Sequence, residues 1–275
     1  MKGCYKMKLQ LLLGAVFLNI YGASFAATND IVNKSDPLCV PNQALTSNRY
    51  IATKWYMDSA EKKALYNEVF NVGLAHIETK VKQDNLKSGT WGVVFDIDET
   101  ALDNQPYEIN HVLLGCKAFT ISDMTAYIET ATALATPGIV RTTCQIKKDG
   151  GKVIMITNRD GAYDNKIIPA TIKNLEKVGI CFDSVLFSNY PKEHDKTPRF
   201  EAVKNGNYKD IIVTKKLPPI NVLAYFGDNI QDFPNLKQTN LVKEDKDSTA
   251  FNKFGQEYFL LPNPMYGSWM ANKFY

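Results

Sequence analysis

The apolar run WGVVF at residues 91–95 is followed at once by Asp96, Asp98, Glu99 and Asp103. Carboxylates crowded in this way repel one another and resist ionising together. Solvent, a cation or a reaction that uses the charge must offset that cost. Further groups follow other apolar runs. Thr157 and Asn158 close the run that begins at Lys152, Lys192 and Lys196 come after SVLFS, and Asp228 and Asp232 lie in GDNIQD after NVLAYF. Aspartates, a hydroxyl, an amide and an ammonium brought together suit a hard dication and a phosphate. Magnesium takes oxygen ligands and keeps several waters, and the lysine, threonine and asparagine can hold phosphate oxygens.

The elements that would bring them together are short β-rich runs at 91–95, 152–157, 184–188 and 221–226, with EYFLLP near 257 as a fifth. IIPATIKNLEKVGI reads as an amphipathic helix ending at Gly179. Buried runs alternating with helices indicate an α/β fold, a Rossmann-like parallel sheet covered on both faces. Ligands of such sheets bind beyond the carboxyl ends of the strands, where all the groups above fall. Residues 101–151 are too long for a plain crossover and partly helical (SDMTAYIETATALA), so they could supply a small, mainly helical cap. Upstream, 27–57 reads as an extended, irregular lead-in. A helix is expected from Asp58, with Asp58 and Glu61 of DSAE as a capping box and Leu65, Val69, Val72 and His76 recurring at helical spacing. DSA also surrounds the nucleophilic serine of alkaline phosphatases, but those enzymes need several zinc ligands and the chain has three histidines.

FDIDETALDN, ITNR, KTPRF and GDNIQDF resemble the four motifs of the haloacid dehalogenase-like (HAD) phosphatases. DETALDNQPY, TPG at 136–138 and NPMYGSW at 263–269 look like the exported bacterial acid phosphatases of class B and class C type, related to lipoprotein 5′-nucleotidases. The resemblance implies a magnesium-dependent phosphomonoesterase with nucleoside monophosphates among its substrates. Asp96 would attack phosphorus, and Asp98 would protonate the leaving alcohol and then activate water. Thr157, Asn158 and Lys196 would bind the phosphoryl group, with Lys196 preferred to Lys192 from its place in KTPRF. Asp96, the backbone carbonyl of Asp98 and Asp228 would hold Mg2+, supported by Asp232. Asp96 is expected to raise the pKa of Asp98, with magnesium opposing, which favours an acidic optimum. Glu99 is read as a solvated or turn residue and Asp103 as a loop organiser. Tyr107 and Tyr266 are candidate substrate contacts or packed aromatics, and the face of Trp269 could also stack a base. Two features depart from the relatives: there is no lipobox, and residues 205–219 look inserted.

Other chemistries fit less well. There is no Arg-His-Gly and no Cys-x5-Arg, a dehalogenase would not need Asp98, and storage proteins resembling this family have lost the nucleophile. Composition narrows the setting. Lys2, Lys6 and Lys8, an apolar core and SFA at 24–26 read as a signal peptide over 1–26, followed by one domain over 27–275. That segment holds three lysines and no acid, so the formal charge of +3 falls to about zero without it. No basic excess points to a nucleic-acid polymer. The expected partners are small phosphomonoesters, with no permanent membrane anchor and a homo-oligomer left open. The expected location is the periplasm or the exterior. Cys39, Cys116, Cys144 and Cys181 permit two disulfides in three connectivities, or free thiols.

Overall fold

The computed structural model describes residues 43–113, 119–190 and 195–273. The expected signal segment, most of the lead-in, Cys39, Cys116 and Lys192 lie outside the described residues. In chain order the elements are α1 (Gln43–Asp58), α2 (Ala60–Gln83), β1 (Trp91–Phe95), β2 (Leu102–Asp103), α3 (Gln105–Leu113), α4 (Ile121–Thr130), β3 (Leu134–Ala135) and α5 (Ile139–Lys148). Then come β4 (Lys152–Asp160), α6 (Ile167–Lys177), β5 (Ser184–Ser188), α7 (Thr197–Asn205), β6 (Ile212–Val213), β7 (Asn221–Gly227), α8 (Gln238–Leu241) and β8 (Tyr258–Leu260).

All five residues of β1 are buried, because the strand runs through the middle of a sheet covered on both faces. The six-stranded sheet has the order β6-β5-β4-β1-β7-β8, parallel throughout except that β6 pairs antiparallel with β5. The chain steps outward from β1 through β4 and β5, then crosses to the other side of β1 for β7 and β8. The carboxyl end of β1 is therefore the point where strand order reverses, which is where such sheets open a ligand crevice. The five expected strands are all present. The inserted-looking segment contributes β6, a two-residue edge strand too short to signal itself in the sequence.

Helices cover both faces. Phe95, Phe226 and Phe259 share one face and stack, with ring centroids 4.7 and 4.8 Å apart, while Phe70 of α2 packs on Phe226 at 5.5 Å. Val94, Tyr225 and Tyr258 face the other way into a second core with Phe200 and Phe233. Between β1 and β4, the antiparallel pair β2-β3 and helices α3 and α4 stand off the sheet, and α5 returns to pack against α2 and β4. Thr136 of TPG ties this return to the loop after β1, its hydroxyl donating to the Thr100 carbonyl at 2.6 Å.

Three upstream expectations change. Residues 43–58 are helical rather than extended. Asp58 ends that helix, and Ser59 caps the next one, accepting from the Lys62 N–H at 3.0 Å. The buried face of α2 is Lys62, Tyr66, Phe70, Gly73 and Ile77, while Leu65 and Val72 are exposed. The aromatic stripe wins over the aliphatic one because the sheet offers it phenylalanine rings to pack on. A disulfide links Cys144 of α5 to Cys181, just past α6, with Cα atoms 4.9 Å apart.

Gly73 is where α2 touches the stack: a Cβ there would lie 2.3 Å from the Phe226 ring. Phe226 is held by rings on three sides, so Gly73→Ala should destabilise the protein by about 1–3 kcal/mol, read from urea unfolding. An unchanged midpoint would show that the helix can retreat freely.

Candidate active site

Asp96 leaves β1 at the switch point, its N–H donating to the Phe226 carbonyl of the neighbouring strand at 2.9 Å. Lys196, at the start of α7, is buried and donates from Nζ to Asp96 Oδ1 and to Asp232 Oδ1, the latter at 2.7 Å. Asp232 is held by a short 3-10 turn at 230–232, where Asn229 and Asp232 cap each other. Gly227 allows that turn to come close, since a Cβ on it would meet the Asp232 side chain at 2.3 Å. Asp228 accepts from the Thr100 hydroxyl at 3.1 Å and from Asn263 Nδ2 at 2.8 Å. One carboxylate oxygen each from Asp96, Asp228 and Asp232 lie within 4.8 Å of one another. Such a set of hard oxygen donors fits a divalent cation of the magnesium or calcium kind.

Asp98 is turned to a different partner. Arg159 Nε donates to its Oδ1 and Oδ2 at 3.1 and 3.2 Å, and Nη2 to Oδ1 at 2.7 Å, while Asn104 Nδ2 donates to Oδ1 at 2.7 Å. Thr157 is fully buried. Its hydroxyl accepts the Arg159 N–H at 3.1 Å and approaches Asp98 Oδ2 at 3.5 Å. Asn158 is exposed to the crevice, its Oδ1 accepting from Arg199 Nη2 at 2.6 Å. Arg159, Arg199, Asn104 and Asn263 carried no assigned role in the sequence reading. Arg159 and Arg199 stand inside the motifs ITNR and KTPRF, and that place was the available signal.

Glu99 corrects the expectation of a solvated residue. It occupies the turn, with φ of 58°, but is wholly buried. Its Oε1 accepts the Asn104 N–H at 2.8 Å, and its carbonyl accepts from the Tyr66 hydroxyl. Asp103 organises the loop, as expected: it pairs with buried Lys62 at 2.7 Å and caps the Gln105 N–H at 2.9 Å.

These groups open on a cavity of about 610 Å3. Asp96, Asp98, Asn158, Lys196, Asp228 and Asp232 form its polar end. Tyr107, Met124, Ile128, Tyr266 and Met270 are on its apolar wall, whereas Trp269 does not line it. Tyr107 is almost buried and lies 5.4 Å from the Tyr127 ring. Tyr266 also packs against the main core.

Burial pushes Asp96 up to about 7, with the Lys196 ammonium pulling down and Asp232 and Asp98 pushing up. Burial, then the charges of Asp232 and Asp96, raise Asp228 well above the usual carboxylate range. Lys196 is held above its ordinary value because Asp232 and Asp96 outweigh its burial. Burial would also raise Asp98, but the charge and hydrogen bonds of Arg159, with Asn104, prevail and hold it below its ordinary value. The expected upward influence of Asp96 is overcome because the arginine is in direct contact.

A family model described as HAD superfamily, subfamily IIIB (acid phosphatase), matches residues 20–269. The class C acid phosphatase from Bacillus anthracis, solved with tungstate bound, superposes with a TM-score of 0.69 at 30% identity, covering 82% of this chain and 87% of that one. Another structure of the Bacillus anthracis class C enzyme gives 0.66 at 29% identity over the same shares.

A carboxyl with a raised pKa binds more protons folded than unfolded, so stability falls as pH rises from about 4 to the folded value. For Asp96 that window ends at about 7. Asp98, shifted down, acts below the window, and His76, lowered by partial burial, acts in the opposite sense near its upper part. Without metal, the melting temperature of the wild type relative to Asp228→Asn should therefore fall between pH 5 and pH 8. A flat or rising difference would mean that the cluster carries no raised carboxyl.

Proposed function

Because the chain belongs to subfamily IIIB of the HAD superfamily, the acid phosphatases, we propose that it hydrolyses phosphomonoesters, including nucleoside monophosphates, through a phosphorylated Asp96 and with magnesium. The observation that carries this reading is the cluster of Asp96, Asp228 and Asp232 around Lys196 at the switch point of the sheet. Asp96, Asp228 and the carbonyl of Asp98 would hold the cation, with Asp232 beside them. Bound there, magnesium neutralises charge so that a carboxylate can approach an anionic phosphate.

The side chains divide the work. Asp96 Oδ attacks phosphorus, the bond to the ester oxygen breaks, and Asp98 supplies the proton that the departing alcohol needs. Asp98 then takes a proton from water as that water attacks the phosphorylated Asp96, releasing phosphate and restoring the carboxylate. Lys196 spreads the charge of the transferring group, and Thr157 and Asn158 steady its oxygens. Phosphoryl transfer asks chiefly for such positioning and charge stabilisation. The low pKa of Asp98 suits the second step, where it must be ionised, and opposes the first, where it must arrive protonated.

The apolar wall supports a substrate with a flat, weakly polar leaving group, and Tyr266 offers it a ring. Export to an oxidising compartment is part of the proposal, supported by the Cys144–Cys181 disulfide. Among the described residues, no helix is long and apolar enough to cross a membrane.

Chelation should abolish release of p-nitrophenol from its phosphate ester, and magnesium should restore it; full activity after exhaustive chelation would sink the mechanism. Acid quenching during turnover should trap a hydroxylamine-sensitive phosphoprotein in the wild type and none in Asp96→Asn. Nucleoside monophosphates should exceed small alkyl phosphates in kcat/KM, and Tyr266→Ala should narrow that gap on the order of ten-fold. An equal loss on both substrate classes would assign Tyr266 to packing alone.

A further inference from the structure

We propose that Arg159 is a positioning residue for the reaction, fixing the orientation from which Asp98 exchanges its proton with the bridging oxygen and with water. The proposal rests on the acid–base reading of Asp98 given above. Its basis is geometric. The guanidinium meets the carboxylate with its Nε and Nη2 edge, through contacts of 3.1, 3.2 and 2.7 Å. Such a fork fixes the plane of a carboxylate as well as its place.

The arginine is itself immobilised. Its Nη1 donates at 3.1 Å to the hydroxyl of Thr171, a fully buried residue of α6, and its backbone N–H is tied to Thr157. The pair is also asymmetric. The Arg159 side chain is 2% exposed and that of Asp98 23%, so although both line the cavity, Asp98 is the partner that presents surface to it. Asn104 also donates to Asp98 Oδ1, and Glu99 fixes Asn104 through its N–H and its side-chain amide. Asp98 is thus held between β4 and the loop after β1. Nε, Nη1 and Nη2 of Arg159 all have protein partners, which argues for positioning rather than capture of the substrate phosphate.

The test is single-turnover phosphorylation with p-nitrophenyl phosphate, whose anion leaves unaided, and with glycerol phosphate, whose alkoxide needs a proton. Asp98→Asn should slow glycerol phosphate by about a hundred-fold or more and p-nitrophenyl phosphate far less, the range general acids supply. Arg159→Met should reproduce that selectivity. Arg159→Lys, which keeps the charge and loses the fork, should fall between wild type and Arg159→Met. The double variant Asp98→Asn, Arg159→Met should be no slower on glycerol phosphate than Asp98→Asn alone. KM and inhibition by inorganic phosphate should stay near wild type.

Equal losses on both substrates, or weakened inhibition by phosphate, in the Arg159 variants would overturn the proposal and leave the reading of Asp98 intact. If Asp98→Asn itself loses the same factor on both substrates, that reading falls and the proposal with it. Should Arg159→Met not fold, Arg159→Lys and Thr171→Val carry the measurement, and wild-type selectivity in both counts against the inference.

Discussion

Several carboxylates gathered around one ammonium, away from bulk water, make up the constraint that organises this molecule. Asp96, Asp228 and Asp232 converge within 4.8 Å, with Lys196 as the cation that touches two of them. A buried charge is costly unless it is paired and hydrogen-bonded, so every carboxylate here has a donor fixed to the scaffold. Asp232 has the Asn229 N–H, Asp228 has Thr100 and Asn263, Asp98 has Arg159 and Asn104, and Asp103 has Lys62. The donors come from strands, helices and loops far apart in sequence. The folded chain therefore stores electrostatic cost at the one place where a cation and an anionic substrate can relieve it.

The scaffold meets that demand by keeping the floor rigid. The stacked rings of Phe95, Phe226 and Phe259 lie directly beneath the ends of β1, β7 and β8, and α2 braces them through Phe70. The same helix reaches under the loop after β1, where Tyr66 bonds the Glu99 carbonyl and Lys62 bonds Asp103. Lys62 sits 3.3 Å above the Tyr56 ring, so its ammonium is held by both an anion and an aromatic face. A left-handed turn at a non-glycine residue, Glu99, persists because its carbonyl and its carboxyl are both tied down.

Much of this was legible in the sequence, and the reason is that strands buried on both faces read as unbroken apolar runs. WGVVF and SVLFS have strand bounds identical to the apolar runs, and each run that carries a candidate residue ends at the same edge of the sheet. What was not legible depends on partners distant in the chain. The two-residue strands have no pattern of their own. The α2 stripe was misread by one position because aliphatic residues at helical spacing are indistinguishable from a core face until the opposing rings are known. Glu99 looked solvated because its turn is polar, and only the arrival of Tyr66 and Asn104 seals it. The pairing of Asp98 with Arg159 spans 61 residues, and no local spacing announces it.

The covalent link between Cys144 and Cys181 has a meaning for where the molecule has been. Cys181 follows β4 and α6 in the chain, so the bond closes a loop that carries Asn158 and Arg159. Both sulfurs belong to half-buried residues rather than to the sealed core. A copy that folded in a reducing compartment would keep two thiols here that an alkylating reagent can count, whereas an exported copy would keep none at these positions. The pair thus acts as a chemical record of the compartment in which the chain took its final form.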